Sequence, residues 1–133
     1  MPKRYQRIVI FNPHGERYDS DIRDRVLGKT DLTDREVLWC STEEELVGLL
    51  GGNPDLVIIG GYNKYIPSKL DSSEREELPP RVLGRIRSEE LLSEHTDITY
   101  LSPEFNIRLN RSLEKRFRAT VGWVTLEFLE RDW

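Results

Sequence analysis

The sequence predicts a single α/β domain built on a mostly parallel sheet of four to five strands. Three observations carry that prediction. Short β-branched runs recur along the chain: RIVIF (Arg7 to Phe11), REVLWC (Arg35 to Cys40), DLVIIGG (Asp55 to Gly61) and DITYL (Asp97 to Leu101). Helical patterns lie between them, and strand–helix alternation is the pattern of a parallel sheet with helices on its faces. The run Leu56 to Ile59 is apolar at every position, as a strand buried on both faces must be.

At 133 residues the chain is one domain's worth, residues 1–133, and long enough to bury a core. No internal repeat or low-complexity segment interrupts it. The first strand, RIVIF, ends in NPHGERYDSD, whose Pro13 and Gly15 force a loop. Asp19 or Ser20 is placed to cap a short helix carrying Ile22, Val26 and Leu27 inward, with Gly28 as its stop. REVLWC is the second strand.

The clearest helix is STEEELVGLLGG. Ser41 with Glu44 reads as a capping box, the hydroxyl accepting from the backbone while the carboxylate reaches back. Three consecutive glutamates suit the positive end of the helix dipole. Leu46, Leu49 and Leu50 form the inward stripe, and Gly51-Gly52 end it before the third strand. Residues 62–80 read as a loop-rich insertion, polar and closed by Pro79-Pro80, after which a helix carries Val82, Leu83 and Ile86. DITYL is the fourth strand, stopped by Ser102-Pro103.

The tail fits two periods. Leu109, Leu113, Phe117, Val121, Val124 and Phe128 recur at helical spacing, and a helical C-terminal segment is expected at about residues 108–131. The stretch TVGWVTLEF (Thr120 to Phe128) is rich in β-branched and aromatic residues, so strand is the alternative there. On the helical projection Trp123, Leu126 and Trp133 fall off the apolar stripe, which makes them the candidate interface residues.

Composition narrows the function classes. Charged residues are 33% and hydrophobic ones 37%, with a formal net charge of -4. A pI near 5.3 is the opposite of a general nucleic-acid binder's balance, so nucleic acid is not indicated. Cys40 is the single cysteine, so no intrachain disulfide can form, and its place at the end of an apolar run predicts a buried, inert thiol. No apolar run approaches the roughly 18–20 residues a membrane helix needs. The start MPKRYQR lacks a signal-peptide core, and a cytoplasmic protein is expected.

In parallel sheets ligands gather at the carboxyl ends of the strands, here Asn12-Pro13-His14, Gly60-Gly61 and Ser102. Gly60-Gly61 either lets the strand turn sharply or another backbone approach closely, or presents bare amides to a phosphate, with Tyr62, Asn63, Lys64 and Tyr65 beside it. Neither a G-x-G-x-x-G nor a G-x-x-x-x-G-K-[ST] run is present, which disfavours Rossmann and P-loop nucleotide sites. His14 is expected to be an exposed loop histidine, with general acid or base as its functional alternative. Two histidines and one cysteine in separate elements have no metal-ligand spacing, and no cofactor is implied.

The stretch EVLWCSTEEELVGLLGGNPDLVIIGGYNKYIP resembles the second strand, second helix and third strand of the receiver domain of bacterial response regulators. GRIRSEELLSEHTDITYLS resembles that family's third helix and fourth strand, and the resemblance spans about residues 6–102. It implies a flavodoxin-like three-layer sandwich. Receivers carry an acidic pair after the first strand to hold Mg²⁺, an aspartate at the end of the third strand to take the phosphoryl group, and a hydroxyl after the fourth. Here the acidic positions hold Asn12, Pro13 and Gly60, while Ser102 matches the hydroxyl position. No clear fifth strand ending in lysine is readable. The resemblance therefore implies a pseudo-receiver: a non-catalytic regulatory or protein-interaction module with a protein partner or a homodimer contact. The alternative is a small enzyme or sensor binding a nucleotide or phosphate ligand at Asn12, His14, Gly60, Gly61, Tyr62, Lys64 and Ser102.

Overall fold

Apolar five-residue runs pair side by side because each buries its backbone polar groups in its neighbour. The structure, a computed structural model, describes residues 5–23, 33–60, 69–93, 96–101 and 120–122. Its elements are β1 (Arg7–Phe11), α1 (Glu16–Ile22), β2 (Glu36–Cys40), α2 (Glu43–Leu50), β3 (Leu56–Gly60), α3 (Ser72–Ser88), β4 (Asp97–Leu101) and β5 (Thr120–Gly122). The strands form one sheet in the order β2-β1-β3-β4-β5, and every pair is parallel. This is the flavodoxin-like order, with its switch point between β1 and β3.

Register assigns the faces. Val9 pairs with Val57, and Val57 with Ile98; Phe11 pairs with Ile59 and Cys40. These residues form one core with Leu46 and Leu50 of α2 and with Val82, Leu83 and Ile86 of α3. Both helices therefore cover the same face. The opposite face carries Ile8, Ile10, Leu56 and Ile58, all fully buried. On that side Tyr18 of α1 lies against Gly60, and the Arg23 guanidinium sits 4.1 Å from the Trp39 ring centre. The sandwich has three layers.

Several boundaries differ from the sequence reading. α1 starts at Glu16 behind Gly15, with no side-chain cap, so Asp19 lies inside the helix and does not begin it. Gly15 has a φ of 114°, a conformation glycine adopts without a Cβ penalty. The cap of α2 is Thr42, whose Oγ1 accepts from the Glu45 amide at 3.2 Å and donates to the Glu45 carboxylate at 3.0 Å. The capping pair is thus one residue later than Ser41 with Glu44. Ser41 donates to the same Glu45 carboxylate at 3.3 Å, and these hydroxyls hold its pKa below the ordinary glutamate value.

The expected loop through residue 80 is wrong from Ser72 onward, because α3 begins there, its first turn capped by Asp71 accepting from the Glu74 amide at 2.9 Å. In the tail, Thr120–Gly122 is a strand parallel to β4, which corrects the helical reading at those residues. Two β-branched residues, Thr120 and Val121, favour the pleat. The rest of the tail, with Trp123, Leu126 and Trp133, lies outside the described residues.

The amino ends of β1 and β3 are joined by one carboxylate. Asp55 accepts from the backbone amides of Gln6 at 3.0 Å and Arg7 at 2.9 Å, while its own amide donates to the Arg7 carbonyl. Tyr5 donates to Asp97 at 2.6 Å, and Thr96 to the Pro54 carbonyl at 2.6 Å. Arg7 reaches the Gly52 carbonyl, and a Cβ on Gly52 would sit 3.0 Å from that guanidinium.

Since Leu56 and Ile58 are fully buried in a central strand, Leu56→Ala or Ile58→Ala is expected to destabilise the domain by about 2–5 kcal/mol. Urea melts read this, and a loss under about 1 kcal/mol would contradict a central β3.

Candidate functional site

At the switch point the carboxyl ends of β1 and β3 lie side by side, and the chain leaving β1 must fold over them. Asn12 opens that loop and is buried at 3% exposure. Its amide N–H donates to the Cys40 carbonyl at 2.9 Å, extending the β1–β2 ladder by one bond. Its side-chain oxygen accepts from the His14 amide at 2.9 Å, the local turn that asparagine favours. Its side-chain nitrogen donates twice, to the Gly15 carbonyl at 2.9 Å and to the Asp19 carboxylate at 2.5 Å. The two acceptors around that nitrogen fix which way the amide points.

An aspartate could not replace this side chain. It would set a second carboxylate against Asp19 and take from the Gly15 carbonyl its side-chain donor, leaving only the Tyr18 and Asp19 amides. Position 12 is built around an amide.

His14 is likewise buried, at 3% exposure, and the expectation of an exposed loop histidine fails. Its Nε2 is 3.0 Å from the Gly60 carbonyl oxygen. A carbonyl only accepts, so Nε2 carries the hydrogen. The ring lies 4.7 Å from the Tyr18 ring, tilted by 32°, and the His14 carbonyl accepts from the Lys69 amide at 3.0 Å. One residue thus joins the β1 loop, the end of β3, α1 and the approach to α3.

Gly60 is explained by the same packing. A Cβ there would lie 3.2 Å from the Phe11 carbonyl oxygen and 3.4 Å from Tyr18 Cε1. The close-approach reading of this glycine holds, and a side chain as large as aspartate has no room without moving Tyr18 or the β1 backbone.

Three of the residues singled out from sequence, Asn12, His14 and Gly60, are therefore brought together. Gly61, Tyr62, Lys64 and Ser102 lie outside the described residues, as do Trp123, Leu126 and Trp133. The packing of Tyr18 on Gly60 and the bond from Asn12 to Asp19, read from sequence as a helix cap, were not foreseen. Their signal was faint: a helix starting at Glu16 would have aimed its first turn back at the loop.

Beside this site Cys40 is buried, its thiol 3.5 Å from the Ile10 carbonyl. Burial, and then the nearby Glu45 carboxylate, push its pKa up to about 12. Among the described residues no group of three His, Cys, Asp or Glu side chains could hold a metal ion. Among them, too, no helix is long and apolar enough to cross a membrane. No protein-family model matches the chain, and no curated protein matches it.

Asn12→Asp is expected to cost about 1–3 kcal/mol in a denaturant melt at neutral pH. An unchanged midpoint would show that the amide's two donor bonds carry no weight. The Cys40 thiol is expected to resist a thiol-specific disulfide reagent at pH 8 in the folded protein and to react at once in urea. Rapid labelling of the native protein would contradict its burial.

Proposed function

We propose that this domain is a non-catalytic, receiver-like regulatory or protein-interaction module. One observation carries the proposal. At two of the three positions where the receiver chemistry needs carboxylates, Asn12 spends its side-chain amide on His14, Gly15 and Asp19, and Gly60 is sealed by Tyr18 and Phe11. Phosphoryl transfer to aspartate needs a carboxylate nucleophile at the end of β3, and glycine has no side chain to supply one. The flavodoxin-like strand order supports the receiver side of the proposal, and the occupied strand ends support the non-catalytic side.

The ligand-binding alternative would use the same strand ends. Asn12 and His14 direct hydrogen-bonding groups at the protein itself, which favours the interaction module over it.

The test is incubation with acetyl phosphate and Mg²⁺ followed by intact-mass measurement. No gain of a phosphoryl group is expected; a hydroxylamine-labile gain would overturn the proposal. For the partner contact we assign the sequence candidates Trp123, Leu126 and Trp133, since aromatic and large apolar anchors dominate interfaces. Trp123→Ala with Leu126→Ala is expected to shift a dimer to monomer, or abolish partner binding, in light scattering. A double variant that loses its circular dichroism signal would instead place these residues in the core.

A further inference from the structure

We infer that α3 consists of two units joined at Pro79-Pro80, and that its first turns form a flap that opens on its own and releases the loop holding His14. The two halves are anchored very differently. Beyond the prolines Val82, Leu83 and Ile86 are buried in the core. There Arg85 pairs with Glu43 at 3.4 Å and Glu44 at 3.0 Å, binding this half to α2, and with Glu89, four residues on in its own segment, at 2.7 Å. Before the prolines, among the described side chains, Ser73, Glu74 and Glu77 are exposed and Leu78 is partly buried against the core.

The junction is weak for a covalent reason. Proline has no N–H, so the bonds from positions 79 and 80 back to the carbonyls of Arg75 and Glu76 cannot form. Proline also disfavours helical backbone at the residue before it, here Leu78 and Pro79. The halves of α3 thus lack two of the hydrogen bonds that would make them melt together.

The flap's root reaches the candidate site. The Lys69 amide, two residues before the Asp71 cap, donates to the His14 carbonyl at 3.0 Å. An opening that runs back through the cap breaks this bond and loosens the loop whose imidazole holds Gly60. Anything that binds the open flap would shift the population of that loop. The inference does not depend on the interaction-module proposal.

Amide hydrogen exchange on the full chain, followed by NMR, tests it. After correction for intrinsic rates, the amides of Lys69, Glu77 and Leu78 are expected to exchange about a hundredfold faster than those of Leu83 and Ile86. Pro79→Ala with Pro80→Ala restores both donors and is expected to slow the first three towards the last two. Uniform protection along α3, a Lys69 amide as slow as that of Leu83, or no response to the double variant would each overturn the inference.

Discussion

Two strands buried on both faces leave their last backbone groups with no water to turn to, and those groups must find partners inside the protein. β1 and β3 meet that constraint at each end in a different way. At the amino ends the Asp55 carboxylate receives the amides of Gln6 and Arg7. At the carboxyl ends the Gly60 carbonyl is met by the His14 imidazole, and the loop bearing His14 is shaped by the Asn12 side chain. Gly60 must then be small, because Tyr18 and the Phe11 carbonyl fill the space beside it. The end of the sheet where related architectures place their chemistry is here used to finish the fold.

The layer of α2 and α3 is held mainly by packing. Leu46, Leu50, Val82, Leu83 and Ile86 bury their side chains on Val9, Phe11, Val57 and Ile59. The ion pairs of Arg85 lie at a partly exposed surface, where water screens such pairs. Glu44 and Glu89 hold the guanidinium still further above its ordinary pKa. The pairs with Glu43 and Glu44 link α3 to α2 across the surface, while that with Glu89 is local to the end of α3.

The first four strands were legible because each is a short, strongly apolar run, and burial on both faces leaves that mark in any sequence. The cap of α2 was legible only to within one residue, since Ser41 and Thr42 are both hydroxyls with a glutamate three places on. The start of α3 was hidden because polar residues before two prolines look like loop, whereas an exposed helical turn needs no apolar residue. Val121 satisfies both a helical and a strand period, and only its pairing with Tyr100 decides between them. The burial of His14 was out of reach, since the carbonyl that holds it is 46 residues away in sequence. A single sequence shows which residues are apolar, and long-range polar partners leave no periodic trace.

The lock between His14 and Gly60 is the claim on which the account of this site turns, and it can be observed directly. A long-range proton–nitrogen NMR correlation of the imidazole reports which ring nitrogen carries the hydrogen. One Nε2–H tautomer of His14 is expected, with a slowly exchanging ring proton that is lost when Gly60 is disturbed. An imidazole that exchanges freely with solvent, or carries its hydrogen on Nδ1 alone, would contradict it.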